Sequence, residues 1–362
     1  MRTIRITGTG SALPGRIVTN KELEQLVETS DEWIRERTGI AERHVSVGET
    51  VVTLASEAAR KALEQAGKRA EEIDLILVAT CSPEQYLPCC ACQVQAAVGA
   101  VNALAFDVNA ACSGFLFALN TADAYLRTGL AENALVIGSE VLSKLVDWTD
   151  RGSCILFGDG AGAVVVERCR TESRAVEYSN ALPETEKGMQ ETAEEKRIPA
   201  AGILGRALHS DGTGGGVLQC GARELTTPYA RTSAAKTDQK QPTDGREHYI
   251  QMDGQEVYRF ATRRVPQCIE EALADAGLAV PDIDMFVLHQ ANARIIDAVA
   301  KRLHADREKF PTNLERVGNL SSASIPVLLV ELHKQGKLHR GDRIVLAGFG
   351  AGLTIGACVM TW

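Results

Sequence analysis

The sequence ALEQAG at residues 62–67 decides the fold, because a near copy, ALADAG, stands 210 residues later at residues 272–277. Six residues after the last glycine of each copy an apolar segment begins, IDLILV at residues 73–78 and IDMFVL at residues 283–288. Nearly continuous apolar runs of this length are typical of strands that are covered on both faces. A glycine at the end of the preceding segment is typical of a helix C-terminus. The chain therefore contains two similar helix–strand units.

The same offset continues beyond these segments. It pairs Asn109 with Asn319 and Cys112 with Ser322, and it aligns LVIG at residues 135–138 with a VLAG segment 210 residues later. An offset that stays constant over about 75 residues indicates an internal duplication. The two halves of the chain are predicted to be copies of one folding unit.

Each copy is predicted to form helix, strand, helix, strand, helix, strand and then a glycine-rich hairpin. This pattern predicts an α/β protein with two pseudo-symmetric halves, each with a sheet covered by helices. We divide the chain into an N-terminal half (1–170), a loop-rich connection (171–250) and the remainder of the C-terminal half (251–362). The charged segment 167–202 and the polar segment 222–247 do not fit the repeat and are predicted to be surface loops.

The composition, with 45% apolar and 24% charged residues among 362, is that of an ordinary globular protein. No window approaches the roughly 18 unbroken apolar residues of a membrane helix, so no membrane association is predicted. The N-terminus lacks the apolar core of a signal peptide, which favours a cytoplasmic location. A formal charge of −8 argues against bulk binding of nucleic acid.

The ten cysteines are predicted to be reduced thiols, because a chain of this length without an export signal seldom carries a disulfide framework. Cys81 and the run CCAC at residues 89–92 could suggest a metal site. That run lacks the two C-x-x-C pairs typical of zinc sites, so buried thiols are favoured and no metal is predicted.

Cys112 differs from the other cysteines in its setting. It lies in the turn NAACSG between the predicted strand 104–108 and a predicted helix that starts near Ser113. A thiol at a helix N-terminus, flanked by small residues, is approachable and is expected to gain thiolate character from the helix dipole. Such a thiolate is a nucleophile suited to thioesters. The alternative is one more buried thiol, which is the common fate of a free cysteine.

His289 and Asn319 are the candidate partners of Cys112. His289 follows the buried strand 283–288 directly, at the edge of an α/β sheet where ligands bind. Asn319 lies in the repeat partner of the Cys112 turn, so the pseudo-symmetry places it opposite the nucleophile. A structural histidine and a simple Gly-Asn turn are the alternatives. Together the three residues could perform acyl transfer in two steps, with an oxyanion hole from backbone N–H groups of Cys112 and the loop 349–353.

At this point three motifs resemble those of the β-ketoacyl-[acyl-carrier-protein] synthase III family of the thiolase-like superfamily. They are NAACSGF at residues 109–115, HQANARII at residues 289–296 and GNLSSAS at residues 318–324. The similarity runs nearly end to end and includes the segments DEWI, RTGI, DRG and FGDGAG. It implies a thiolase-like fold in which the two halves form a five-layered αβαβα sandwich, and it implies a homodimer.

The resemblance also implies a reaction. Cys112 would accept an acyl group from acyl-CoA, with acetyl-CoA as the expected primer, and release coenzyme A. Malonyl-acyl carrier protein would then lose carbon dioxide, with His289 and Asn319 stabilising the enolate that attacks the acyl group. The coenzyme A thioester is a substrate in this reaction, and no cofactor is expected. The backbone N–H groups of Cys112 and Ala351 would form the oxyanion hole.

Further site residues follow from the resemblance alone. Leu87, by the family's pattern, would cap the acyl pocket from the partner subunit. The implied coenzyme A contacts are Trp33, Arg37, Thr38, Arg151, Gly254 and Asn292. The implied docking residues for the acidic carrier protein are Arg259, Arg294, Lys301 and Arg302.

Departures from the family pattern keep alternatives open. Leu320, Ala351 and Ile355 stand where the family commonly has Thr, Gly and Trp. One alternative is a related acyltransferase or condensing enzyme of secondary metabolism with a different acyl donor or acceptor. An enzyme of hydroxymethylglutaryl-CoA synthase type would need a general acid, for which Glu84 is the candidate by position. A scaffold without activity would be expected to lose the Cys or the His, and both are present.

Overall fold

The computed structural model describes residues 2–170, 202–221 and 248–362. Its strands, in chain order, are β1 (Arg2–Ala12), β2 (Arg16–Thr19), β3 (Glu42–Val45), β4 (Leu75–Ala79), β5 (Leu104–Val108), β6 (Asn133–Glu140), β7 (Gly160–Arg170), β8 (Gly202–Ser210), β9 (Leu218–Gln219), β10 (Gln251–Met252), β11 (Met285–Leu288), β12 (Arg343–Gly350) and β13 (Thr354–Thr361). Its α-helices are α1 (Asn20–Leu23), α2 (Asp31–Thr38), α3 (Val51–Ala66), α4 (Cys90–Val98), α5 (Gly114–Thr128), α6 (Arg151–Cys154), α7 (Gly254–Ala276), α8 (Ala293–Arg302), α9 (Leu314–Val317) and α10 (Ser324–Lys334). Among these described residues, no helix is long and apolar enough to cross a membrane.

Two sheets carry the duplication. The first has the order β1-β7-β6-β4-β5 and the second has the order β8-β13-β12-β11. In each sheet the two inner strands of the repeat, β4 with β6 and β11 with β12, are parallel, and the following strand turns back antiparallel. β8 lies within the predicted connection 171–250, yet it pairs with β13 and so belongs to the second sheet. The predicted loop 167–202 is wrong at its ends, because residues 167–170 belong to β7 and residue 202 starts β8. Its remainder, 171–201, and the predicted loop 222–247 lie outside the described residues.

The repeat extends to single residues. The helices α3 and α7 both end on a left-handed glycine, Gly67 with φ 64° and Gly277 with φ 66°. The two turns at the centre of the repeat, Ala111–Ser113 and Ser321–Ala323, each start with a left-handed residue, at φ 46° and 48°. These φ angles are unusual for residues other than glycine, so their recurrence at the same offset is strong evidence of duplication.

One predicted strand is wrong. The repeat partner of β5 would fall near residues 314–318, but that segment forms the short helix α9 and then an extended crossing at Asn319. The Asn319 N–H donates to the Leu156 carbonyl at 2.9 Å, and the Asn319 carbonyl accepts from the Gly158 N–H at 3.0 Å. Because the chain here bonds to the other half, it cannot also extend the sheet beside β11.

Three apolar cores separate the layers. One core lies between α3, α4 and the outer face of the first sheet. A second lies between the two sheets and is filled by α5 and α10. The third lies between the outer face of the second sheet and the helices α7 and α8. The fold is therefore the predicted five-layered αβαβα sandwich of the thiolase-like type.

The backbones of the two halves come into direct contact at Gly138 of β6. A Cβ atom on this glycine would stand 2.3 Å from the carbonyl oxygen of Ser322, which is too close for any side chain. Next to this contact the Ser322 hydroxyl lies 2.8 Å from the Ala79 carbonyl oxygen and 2.8 Å from a carboxyl oxygen of Glu140, so its single proton is shared between two acceptors. The repeat partner of Cys112 is thereby fixed against the first sheet.

Gly138→Ala is expected to destabilise the protein by about 3 kcal/mol, because the added methyl group meets backbone and must push the halves apart. Urea unfolding followed by circular dichroism measures this change. Gly48→Ala is the matched control, since a Cβ there meets nothing within 4 Å. Equal stability of the two variants would contradict the close approach at Gly138.

Candidate active site

The fold places Cys112 at the bottom of a cleft between the halves. Strand β5 delivers the chain to the Ala111–Ser113 turn, and α5 starts two residues after the cysteine. The end of β12 packs on this turn so closely that a Cβ on Gly350 would stand 2.6 Å from the Cys112 nitrogen. The Thr354 hydroxyl donates to the Ala110 carbonyl at 3.0 Å and meets the Ser113 hydroxyl at 2.6 Å. The nucleophile turn is therefore held by both halves.

The protonation state of Cys112 differs from the sequence-based expectation. Burial raises the pKa of this thiol to about 12, and the negative charge of Glu140 adds to the increase, whereas a hydrogen bond from Ser321 opposes it. Desolvation of the thiolate thus outweighs the favourable field of the helix N-terminus. At neutral pH Cys112 is a thiol, and its proton must leave when the sulfur attacks.

His289 lies directly after β11, where the predicted strand ends. Its N–H donates to the Ala347 carbonyl at 2.8 Å, and its ring meets the edge of Phe349 with 5.5 Å between centroids. Only 3% of the residue is exposed, and its Nδ1 has no hydrogen-bond partner among the residues that the structure describes. Burial lowers the pKa of His289 to about 3, so the imidazole is neutral and can act as a hydrogen-bond donor without carrying a charge.

Asn319 is fixed on three sides. Its backbone is bonded to residues 156 and 158 of the first half, and its Oδ1 accepts from the Ser321 N–H at 2.9 Å. Because Oδ1 is occupied in this way, the Nδ2 amino group is the part of the side chain left for a ligand. A donor oriented by its own turn is suited to stabilising developing negative charge.

The three predicted catalytic residues meet in one cavity of about 210 Å³. Cys112, His289 and Asn319 all line it, together with the aromatic rings of Phe157 and Phe349. A nucleophile and two neutral donors in an enclosed, largely apolar space can support acyl transfer through an oxyanion or enolate.

Most of the predicted coenzyme A contacts line the same cavity or its mouth. Arg37, Thr38, Gly254 and Asn292 lie along the cavity, and a wider opening of about 1250 Å³ contains Trp33. The guanidinium groups of Arg151 and Arg37 lie 4.9 Å and 5.6 Å from the centre of the Trp33 ring. In this structure Arg151 therefore occupies one face of the indole, which an adenine would have to share or take over.

A second cavity, also of about 210 Å³, starts at Cys112 and extends away from the mouth. Ala351 and Ser321 border it near the thiol, and Leu142, Leu145 and Ile250 are among the apolar residues that form its walls. Leu87 lies outside both cavities of its own chain and is 85% exposed.

The four predicted docking residues are exposed, and two of them lie at the mouth. Arg259 and Arg294 line the opening, and the guanidinium of Arg294 lies 5.8 Å from the centre of the Tyr258 ring. Lys301 and Arg302 stand in the last turn of α8. Arg259 is paired with Glu256, so its positive charge is partly balanced.

The departures from the family pattern have clear packing roles. Leu320 is fully buried and packs against Val317 and Val327, and Ile355 is buried in the core beneath α7. Ala351 follows the end of β12, beside the nucleophile turn, and replacing Gly by Ala retains the backbone N–H.

Glu84 does not join the cavities of Cys112. Its carboxylate accepts from the Val51 N–H at 3.0 Å and from Lys144 at 2.8 Å, and it lines a separate surface hollow. This placement argues against a general acid at Glu84. Within the described parts of the chain, no group of three or more His, Cys, Asp or Glu residues is arranged for a metal.

Sequence reasoning missed the residues behind the nucleophile. Glu140 is fully buried at the end of β6, and Cys81 and Ser321 lie between it and the second cavity. The sequence did contain a signal for Glu140, since a lone acidic residue at the end of an apolar strand lies at the carboxyl edge of the sheet, where ligands bind.

Two family models match the sequence. The model described as 3-oxoacyl-[acyl-carrier-protein (ACP)] synthase III matches residues 106–181, and the model of the C-terminal part of that protein matches residues 273–362. A relative from Clostridium acetobutylicum named beta-ketoacyl-[acyl-carrier-protein] synthase III is 44% identical over 362 residues, which is 100% of this chain and 99% of the relative.

Solved structures are similar over nearly the whole chain. The 3-oxoacyl-[acyl-carrier-protein] synthase III from Aquifex aeolicus VF5 has a TM-score of 0.83 and 39% identity, covering 99% of this chain and 100% of that one. The priming beta-ketosynthase from the R1128 polyketide biosynthetic pathway has a TM-score of 0.82 and 33% identity, covering 99% of this chain and 96% of that one.

Proposed function

The chain belongs to the β-ketoacyl-[acyl-carrier-protein] synthase III family, a family of acyltransferases, and we propose that it condenses acyl-CoA with malonyl-acyl carrier protein to start fatty-acid synthesis. Acetyl-CoA is the first candidate for the primer. The single observation that carries the residue assignment is the cavity shared by Cys112, His289 and Asn319. As parts of the same proposal, the reaction needs no cofactor and takes place in the cytoplasm, a setting that suits ten free cysteines.

The first step is a thioester exchange. The Cys112 sulfur attacks the acyl-CoA carbonyl, the new C–S bond forms, the bond to the coenzyme A sulfur breaks, and the thiol proton leaves with coenzyme A. Because burial raises the pKa of Cys112 to about 12, the proton has to be transferred as the new bond forms. The backbone N–H groups of Cys112 and Ala351 are assigned to the carbonyl oxygen while it carries negative charge.

The second step makes the carbon–carbon bond. The malonyl carboxylate leaves as carbon dioxide, and its bonding electrons form an enolate at the thioester. Neutral His289 and the Asn319 amide donate hydrogen bonds to the enolate oxygen. The enolate carbon then attacks the acyl carbonyl on Cys112, the C–S bond breaks, and the cysteine sulfur takes up a proton. The low pKa of His289 keeps the ring a neutral donor at any pH at which the enzyme would work.

Replacing each residue of the set is expected to separate the two steps. Cys112→Ser should abolish the acyl adduct that intact mass spectrometry detects after incubation with acetyl-CoA, because the thiol is the acceptor. His289→Ala and Asn319→Ala should still be acylated but should decarboxylate malonyl-acyl carrier protein about a hundredfold more slowly, as is usual when an oxyanion donor is lost.

Cys169→Ser is the matched control for the acylation test, since Cys169 is partly exposed on β7 and lines neither cavity of Cys112. It should acylate like the parent. An unchanged adduct on Cys112→Ser, or normal decarboxylation by both donor variants, would show that the assignment is wrong.

The carrier protein is proposed to dock on the cationic face beside the mouth. Arg259, Arg294, Lys301 and Arg302 are exposed there, and two of them line the opening that leads to Cys112. An acidic partner gains most of its orientation and association rate from such a local patch, even though the whole chain carries a charge of −8.

Arg294→Glu is therefore expected to raise KM for malonyl-acyl carrier protein about tenfold or more, because like charges then face each other in the docked complex. The acylation rate with acetyl-CoA should stay within twofold of the parent. Kinetic measurements with both substrates distinguish the effect on KM for malonyl-acyl carrier protein from the effect on acylation by acetyl-CoA. Arg69→Glu, an exposed arginine on the far side of the first sheet's helices, is the control and should leave both constants unchanged. A KM unaffected by the change at Arg294 would contradict docking at this face.

A homodimer is also proposed. β5 is the edge strand of the first sheet, and its first residue, Leu104, is 53% exposed. Tyr86 and Leu87, in the loop before α4, are 69% and 85% exposed. An unpaired strand edge beside exposed apolar side chains favours pairing with a second copy. Such a pairing would give Leu87 a place to be buried, which its own chain does not provide.

The parent is expected to have twice the mass of one chain. Leu104→Lys is expected to have the mass of a single chain, because a charge at the edge strand opposes pairing. Size-exclusion chromatography with light scattering gives the masses. Leu130→Lys, a change at a still more exposed leucine after α5, should remain at the parent's mass. A parent of single-chain mass would contradict the dimer.

A priming synthase of a polyketide pathway is the second candidate, favoured by the likeness to the R1128 enzyme. It would use the same residues and differ in the primer. Competition between acyl-CoA chains of different length for acylation of Cys112 distinguishes the two.

A further inference from the structure

Glu140 is a fully buried carboxyl group beside the active site to which the reaction steps above assign no role. It ends β6, and its two oxygens receive hydrogen bonds from both halves of the chain. The donors are Ser82 Oγ at 2.5 Å, Ser322 Oγ at 2.8 Å, the Cys81 N–H at 3.1 Å, Thr80 Oγ1 at 3.2 Å, Ser321 Oγ at 3.2 Å and the Cys81 thiol at 3.5 Å.

The surroundings are those of a carboxylate. The Cys81 N–H can only donate. The Ser82 hydroxyl accepts from the Val141 N–H at 3.0 Å and has its own proton available for Glu140. A short O–H···O contact of 2.5 Å is typical of a charge-assisted bond. Burial raises the pKa of Glu140, and the hydrogen bonds from Ser82 and Ser322 oppose that increase.

We propose that Glu140 is an anionic positioning residue that fixes the Ser321–Ala323 turn next to Asn319 and whose charge acts on the Cys112 sulfur. This inference rests on the proposed function, because Glu140 is assigned one influence on the acylation step and another on the decarboxylation step. It is carried by the hydrogen-bond arrangement around the carboxylate and by its place behind the nucleophile.

The positioning role acts through the Ser321–Ala323 turn. Ser321 and Ser322 both donate to Glu140, and the Ser321 N–H donates to Asn319 Oδ1 at 2.9 Å. Ser321 has a left-handed φ of 48°, which a residue other than glycine adopts only when its surroundings hold it there. Glu140 thus supplies part of the force that keeps the turn, and with it the Asn319 amide, in place.

The electrostatic role acts on Cys112. Ser321 lines the same cavity as the thiol, and its hydroxyl contacts Glu140 at 3.2 Å, which places the carboxylate directly behind the cavity wall. The negative charge of Glu140 contributes to the raised pKa of Cys112. The other ionisable groups that line the two cavities of the thiol are Arg37, Cys81, Cys220, Tyr258 and His289. Burial raises the pKa of Cys81 and lowers that of His289, so both are neutral. A substitution at Glu140 leaves all of these groups in place, so removing its charge favours the Cys112 thiolate.

Glu140→Gln tests both roles at nearly constant shape. The pKa of Cys112 should fall, so that more of the sulfur is thiolate at a given pH. The rate of alkylation by iodoacetamide at pH 8 should then rise by up to roughly tenfold, which corresponds to lowering that pKa by about one. Decarboxylation of malonyl-acyl carrier protein should fall by about tenfold. The reason is that the N–H groups of the glutamine amide would face hydrogen-bond donors, so the Ser321–Ala323 turn would be held less well. Opposite changes in the two rates are the signature expected.

Glu140→Asp and Asp159→Asn complete the set. The aspartate keeps the charge but is one methylene shorter, so the pH profile of alkylation should match the parent while decarboxylation falls. Asp159 is another buried carboxylate, and it accepts from the Ser143 hydroxyl at 2.6 Å and the Ser46 N–H at 2.7 Å. Asp159→Asn should lower stability and leave both the alkylation profile and the ratio of the two rates at the parent's values.

An alkylation profile of Glu140→Gln that is unchanged or moved to higher pH overturns the electrostatic role. Full decarboxylation by Glu140→Gln and Glu140→Asp overturns the positioning role. If Glu140→Gln does not fold, as judged by circular dichroism, the loss expected in Glu140→Asp still decides the positioning role. A parent that does not decarboxylate malonyl-acyl carrier protein speaks against the proposed function itself, whereas an active parent with indistinguishable variants rejects only the role of Glu140.

Discussion

The close contact between β6 and the Ser321–Ala323 turn is the constraint on which the rest of the structure depends. At Gly138 the two halves touch through backbone alone, with no space for a side chain. The Ala111–Ser113 turn packs against the Ser321–Ala323 turn. Because the first turn carries Cys112 and the second follows Asn319, this packing sets the distance between the proposed nucleophile and the proposed donor. Precision at the site is thus a consequence of backbone packing between the halves.

Burial then determines the chemistry that this geometry can support. The same desolvation that raises the pKa of Cys112 lowers the pKa of His289, so both groups are neutral at rest. Because both groups are neutral, Cys112 lacks the thiolate that an ion-paired cysteine would have at rest. In return, neutral His289 can donate a hydrogen bond to the enolate of the proposed reaction. The cavity therefore favours charge that appears during reaction over charge that is present beforehand.

Much of this could be predicted from the sequence, because duplication leaves a constant offset that needs no structural knowledge. The offset located the paired helices, the inner strands and the facing positions of Cys112 and Asn319. Short-range patterns could not locate Glu140, since the donors to its carboxyl group come from two segments, 80–82 and 321–322, that meet it only after folding. The protonation state of Cys112 was predicted wrongly for the same reason, because the helix N-terminus is visible in sequence and the depth of burial is not.

The departure from the repeat at residues 314–318 explains how two similar halves form one shared cavity. In the first half the corresponding residues form β5, the edge strand of the first sheet among the described residues. In the second half the chain leaves that position, and the backbone of Asn319 bonds across to residues 156 and 158. A strand beside β11 would have kept Asn319 on its own sheet, out of reach of the cleft. The second sheet therefore has no strand that corresponds to β5. In its place, Asn319 reaches the cavity that contains Cys112. An exact duplicate of the first half would not bring an asparagine to this position.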